Sequence, residues 1–236
     1  DYINQAIGAA SVALGDGNIT WGKKSLAVGT QNTVGYDDGN ATGSYPGNSS
    51  VAMGQLNNIS NHCSFAFGNS NAVSSQYANA FGRYNSVSAA YASADGIYLS
   101  AGGQGAHAEG YGEGTKDTTT GIITYTWGRS NGKGSHVEGR SNAFGDFSHS
   151  EGLENSTWGI GSHTGGYQSI TGHSPANSGE AEMSQVSNYG FTHGLGLLNK
   201  SVDAKAVFGR YNINKKDTIF EIGVGTSDAE RKNALE

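Results

Sequence analysis

Apolar and polar positions along this chain alternate in short bursts, and the bursts recur at a fixed interval. The pentads Ser-Val-Ala-Met-Gly54, Ser-Phe-Ala-Phe-Gly68, Ala-Asn-Ala-Phe-Gly82, Ala-Ser-Ala-Asp-Gly96 and Ala-His-Ala-Glu-Gly110 end on glycines 14 residues apart. Nearer the start, Ser-Val-Ala-Leu-Gly15, Asn-Ile-Thr-Trp-Gly22 and Ser-Leu-Ala-Val-Gly29 divide that unit into two halves of 7. Seven residues hold a short strand and a tight turn, too few for a helix and its connection. The pattern predicts an all-β solenoid with two strands per coil. Each strand pairs in parallel with its equivalent one coil on, about 4.8 Å away.

Alternation within a pentad places Ser, Ala and Gly on one side and the larger pair on the other. A two-stranded coil has a thin interior, so Ala and Gly are expected to point inward. The outward pairs are then Val12/Leu14, Leu26/Val28, Val51/Met53 and Phe65/Phe67. Half a coil later they become polar: Asn58/Ser60, Ser86/Ser88 and Ser100/Gly102. One outer face is apolar and the other wet. A continuous apolar stripe does not stay exposed on a monomer, so the chain is expected to self-associate, with a cyclic homotrimer as the closed solution.

Three insertions interrupt the rhythm, at 36–49, 111–125 and 173–188. The second contains Lys-Asp-Thr-Thr-Thr-Gly-Ile-Ile-Thr-Tyr-Thr, whose β-branched content predicts a small hairpin. The last clear unit ends at Gly209, which gives a head of residues 1–209 and a C-terminal connector of 210–236. In the connector, 218–224 reads as a strand and 228–235 as a short helix or an extension. Insertions vary without disturbing stacked coils, so receptor contacts are expected there. The candidates are Tyr36, Tyr45, Tyr111, Tyr125 and the nearby Trp127, among Asn, Asp and Thr.

Composition narrows the classes. With 38 Gly but 2 Pro and no triplet period, collagen is excluded, and 12 Tyr, 8 Phe and 3 Trp argue against disorder. A net charge of −6 argues against nucleic acid as a partner. No apolar run approaches the roughly 20 residues of a membrane span, so no membrane insertion is expected. Asp1 in place of an initiator Met, with no leader pattern after it, reads as a processed chain. The single Cys63 excludes an intrachain disulfide; it falls in a half-coil turn with no neighbouring base and is expected to be inert. The sequons at Asn18 and Asn155 are what an Asn/Ser-rich repeat produces by chance. No nucleophile elbow, P-loop, dinucleotide fingerprint or zinc-protease helix is present. The expectation is a protein without catalytic residues or cofactors.

One substitution pattern carries chemistry. His107/Glu109, His136/Glu138 and His149/Glu151 take over the outward positions of the apolar pair, and His163 continues the column. In a trimer each such coil brings three imidazoles and three carboxylates near the axis. A hydrogen-bond network fixing register between chains is the expected role, with an axial ion on these six residues as the alternative. Catalysis at such an ion is not expected, because a packed axis leaves no substrate path. Asp37-Asp38 and Glu180/Glu182 sit in insertions and read as solvated acidic groups.

The Ser-Val-Ala-Met-Gly and Ser-His-x-Glu-Gly pentads at 14-residue spacing resemble the head repeats of trimeric autotransporter adhesins, over roughly residues 10–209 outside the insertions. The resemblance implies a left-handed parallel β-roll that trimerises through one face. The same repeats are similar to those of phage tail fibre and receptor-binding proteins. The closing Phe-Glu-Ile-Gly-Val-Gly-Thr-Ser-Asp-Ala-Glu-Arg-Lys-Asn-Ala-Leu-Glu resembles the junction after such repeats in phage tail proteins, not an adhesin neck. It implies a homotrimeric receptor-binding module on the virion, attaching to a bacterial surface glycan or protein. The alternatives are a bacterial surface adhesin head and a glycan-degrading tail spike.

Overall fold

A computed structural model of the chain describes residues 3–37, 39, 46–172, 188–200 and 203–235. Among them there is no helix; the strands form parallel β-solenoids of about 14 residues per coil. The chain packs as two compact units, 1–126 and 127–236.

In the first unit, seven strands stack in parallel: Val12–Asp16, Leu26–Thr30, Val51–Gln55, Phe65–Asn69, Asn79–Arg83, Ser93–Ile97 and His107–Tyr111. The register aligns every pentad glycine, so Gly54 pairs with Gly68, Gly68 with Gly82 and Gly96 with Gly110. Two-residue strands such as Asn58–Ile59, Ala72–Val73, Ser86–Val87 and Ser100–Ala101 form the facing sheet. Between the sheets lie Ala52, Ala66, Ala80, Ala94 and Ala108 from one side and Ile59, Val73, Val87 and Ala101 from the other, all essentially inaccessible. The interior thus pairs an alanine on the long strand with a branched residue on the short strand, until Ala101 takes the branched residue's place.

The glycines do not share that interior. Gly54, Gly68, Gly82 and Gly110 are exposed, at the end of the long strand, with φ between +104° and +117°. A Cβ on Gly68 would lie 2.0 Å from the carbonyl oxygen of Gly82 in the next coil. Glycine is needed there for its backbone angle and for coil-to-coil contact, not to fill the core.

A second ladder holds the coils in register. Asn57 Nδ2 donates to Asn32 Oδ1 (2.9 Å), to the Met53 carbonyl (3.0 Å) and to the Gly68 carbonyl (2.9 Å). Asn57 Oδ1 in turn accepts from the Asn71 backbone N–H at 3.1 Å, and Asn71 Oδ1 from that of Asn85 at 3.1 Å. These buried side chains satisfy carbonyls that turn away from the sheet ladder. The sequon asparagines Asn18 and Asn155 are two of these buried residues, which accounts for both without glycosylation.

Insertions leave the stack intact. Leu26 pairs with Val51 in the same register that joins Val51 to Phe65, although 36–49 intervenes. His163 pairs with Phe191 across 173–188 in the same way.

In the second unit, His136–Ala143, His149–Thr157, His163–Tyr167, Phe191–Leu195, Ala206–Arg210 and Phe220–Val224 stack in parallel, with one register shift between Arg140 and Asn142. Its interior is partly polar. Thr157, Thr164, Thr171 and Thr192 pass hydroxyl hydrogen bonds from coil to coil at 2.6–2.7 Å. Phe220–Val224 continues the stack into the stretch read as a connector. The expected short helix at 228–235 is absent; Asn233–Leu235 is instead a strand, antiparallel to Phe220–Val224. Ile222 pairs there with Leu235, so this strand lies alongside Phe220–Val224. Beneath it, Lys205 and Glu221 are buried together at 2.7 Å. Glu221 also accepts from Asn212 Nδ2, Thr218 Oγ1 and the Lys215 backbone N–H.

Candidate functional site

The hairpin expected in the second insertion is present. Glu113–Lys116 and Ile123–Trp127 pair as a two-stranded sheet, and so short a connection permits only antiparallel pairing. Its turn is built by Asp117, whose carboxylate accepts from the backbone N–H groups of Thr119 (2.7 Å) and Thr120 (3.0 Å). These bonds to the charged form hold the Asp117 carboxyl below its ordinary range.

The hairpin folds back over the wet sheet. Tyr125 donates its hydroxyl to the Tyr84 carbonyl at 3.0 Å, and Gly114 lies so close to Tyr98 that a Cβ would approach the ring to 2.8 Å. Burial pushes the Tyr125 phenol up to about 12, so it stays a donor. Between hairpin and sheet is a cavity of about 370 Å³, lined by Tyr84, Ser86, Asn58, Lys116, Ile123 and Tyr125 among others. That volume suits a small ligand or one or two sugar rings.

Tyr84 is held on three sides. Its ring stacks on Tyr98 at 4.9 Å, with the Arg83 guanidinium 4.6 Å and the Lys116 ammonium 5.4 Å from its centroid. The hydrogen bond from Arg83 holds the Tyr84 hydroxyl below the ordinary phenol range. Tyr84 belongs to a column that sequence reasoning missed. Tyr77, Tyr84, Tyr91 and Tyr98 recur every seventh residue, each in a turn at φ of +55° to +60°. Large side chains seldom adopt that backbone. Here each turn N–H donates to the coil below, as Tyr84 does to the Asn69 carbonyl at 2.9 Å, and the rings stack in alternating pairs. Cys63 occupies an equivalent turn at φ +54° and is half-buried.

Of the other expected contact residues, Tyr36 and Tyr111 are exposed and Trp127 is half-buried at the end of the outer hairpin strand. Tyr45 lies outside the described residues, as do Asp38, Glu180 and Glu182. Asp37 makes a local turn with Gly39 at 3.0 Å. Among the described residues, Tyr125 alone of the expected aromatics lines the cavity.

The histidine–glutamate column points outward as expected. In the first unit, His107 Nε2 is 3.8 Å from Glu109 Oε2. In the second, the His136 and His149 rings stack at 4.7 Å, and the His149 and His163 rings meet tilted at 4.8 Å. Glu138, His149 and Glu151 present ligand atoms within 4.8 Å of one another. Glu151 is also shared upward, 3.2 Å from His163 Nε2 and 3.9 Å from His193 Nδ1. His193 has no place in the sequence reading, because a phenylalanine, Phe191, holds the column's usual histidine position.

Comparison with known protein families and with curated proteins found no match.

Proposed function

We propose that the chain is a non-enzymatic attachment module that works as a homotrimer of left-handed β-rolls, on a phage tail fibre. It binds a bacterial surface receptor through its inserted loops. The observation that carries this reading is a division of labour in the first unit. The cavity beneath the hairpin opens on the polar sheet, with Tyr84, Tyr125 and Lys116 around it. The opposite sheet turns out Val12, Leu14, Phe65 and Phe81, each at least 40% exposed in the isolated chain. One sheet is suited to meet a ligand and the other to meet copies of the chain.

Tyrosine faces beside amide, hydroxyl and ammonium groups suit a carbohydrate, which offers apolar ring faces and a rim of hydroxyls. Three cavities per trimer would convert weak single contacts into firm attachment to a repeating surface polymer. Titration of the protein with surface polysaccharide from candidate hosts, read by calorimetry, tests the reading. Tyr84→Ala should lower the affinity at least tenfold while the far-ultraviolet spectrum stays that of a β protein. Appearance of new reducing ends during the titration would replace attachment with glycan cleavage.

A further inference from the structure

We infer that Glu151, His163 and His193 form a binding site, within a single chain, for a divalent transition metal of the zinc class. The three residues come from successive coils of the second unit, on the strands His149–Thr157, His163–Tyr167 and Phe191–Leu195. Their ligand atoms lie within 4.8 Å of one another, with Glu151 Oε1 at 3.2 Å from His163 Nε2 and 3.9 Å from His193 Nδ1. Two imidazoles and one carboxylate suit zinc and its first-row neighbours; calcium and magnesium favour all-oxygen shells.

A hydrogen-bonded histidine–glutamate pair would account for part of this arrangement. It does not account for Gly165. That residue occupies the position taken by Glu138 and Glu151 in earlier coils, and it pairs in register with His193. Its φ is outside the left-handed region that demands glycine, so the backbone there accepts any residue. A side chain there would instead have to push the Glu151 and His193 side chains aside. A Cβ on Gly165 would lie 2.6 Å from His193 Nδ1 and 2.8 Å from Glu151 Oε1. The missing side chain leaves a notch that a carboxylate enters from one coil and an imidazole from the next.

The third donor is aimed by packing. The His163 ring lies between His149 at 4.8 Å and Phe191 at 4.9 Å, which restricts its rotation and leaves Nε2 toward Glu151. Two donors about 2.0–2.2 Å from one tetrahedral metal sit roughly 3.4 Å apart, so the 3.9 Å between His193 Nδ1 and Glu151 Oε1 asks for a small shift, which His193, the most exposed of the three, has the freedom to make.

The full chain, stripped with chelator, is titrated with zinc by calorimetry and with cobalt by visible absorption. One zinc per chain is expected, together with a cobalt ligand-field spectrum showing nitrogen ligation. His193→Ala should weaken zinc binding by more than the roughly 10–100-fold that loss of an outer-shell partner costs. Gly165→Ala should do the same by filling the notch, while His62→Ala, in the other unit and outside every cluster of metal-ligating side chains among the described residues, should change nothing. No saturable site in the parent chain overturns the assignment. So does zinc affinity that survives His193→Ala, or that falls with His62→Ala. Should Gly165→Ala fail to fold, His193→Ala and the cobalt spectrum still decide.

Discussion

At the scale of single residues, the fold depends on side chains that stand in for backbone. Asn71 is representative: it donates to the Phe67 carbonyl at 3.0 Å and the Gly82 carbonyl at 2.9 Å, and accepts from Asn85 N–H at 3.1 Å. Asn71→Ala leaves the buried Asn85 N–H unsatisfied and takes a donor from two part-buried carbonyls that water can reach. One buried unsatisfied group costs about 1–3 kcal/mol, so a loss of that size is expected in denaturant unfolding at fixed protein concentration. A loss below about 1 kcal/mol would mean that water replaces the amide. The buried Lys205–Glu221 pair obeys different arithmetic. Lys205→Met alone strands a carboxylate and should cost about 3–5 kcal/mol, while adding Glu221→Leu should restore part of that. The sequence showed the Gly ladder because identical neighbours repeat it, but hid the Asn ladder, since the repeat is rich in Asn and Ser throughout. It concealed the ion pair, which occurs once and has no periodic copy.

At the scale of elements, the hairpin is the part whose stability responds to pH. The Tyr125 phenol is raised from 10.0 to about 12 because burial disfavours its charged form. Its contribution is therefore complete below about pH 10 and is lost as pH climbs from there through 12. Alkaline titration should show one tyrosine forming phenolate late, together with release of the hairpin to proteolysis. Tyr125→Phe should remove that late step and loosen the hairpin by about 1 kcal/mol, the worth of one hydrogen bond. That a hairpin forms was legible from its Thr, Ile and Tyr content. Where it lands was not. Tyr84 and Lys116 meet because the insertion folds back across the stacked coils, and no period in the sequence encodes that return. The same holds for His193 and Glu151, which an insertion separates along the chain and only the continued register reunites.

At the scale of the whole molecule, the outward apolar residues make the sharpest demand. Phe65 and Phe81 are about 40% exposed in the isolated chain, on the same sheet as Val12 and Leu14. If three chains bury them together, light scattering gives a trimer mass, and Phe65→Asp with Phe81→Asp shifts it toward the monomer. A parent chain that scatters as a monomer would end the trimer proposal and leave the cavity beneath the hairpin as a single, weaker site. The apolar face was readable from the alternation within each pentad. The interior was read less well: glycine was expected inside, yet the core is built from alanine facing Ile59, Val73 and Val87, with glycine at the coil edge.

The undisturbed register across the insertions has a practical meaning. Leu26 finds Val51, and His163 finds Phe191, as though the residues between them had never been added. Such junctions behave as splice points, where a cassette can be exchanged for another of unrelated length without the coils having to be re-solved. A graft of unrelated length at either joint is therefore expected to leave the coils folded, which the far-ultraviolet spectrum of such a chimera would check.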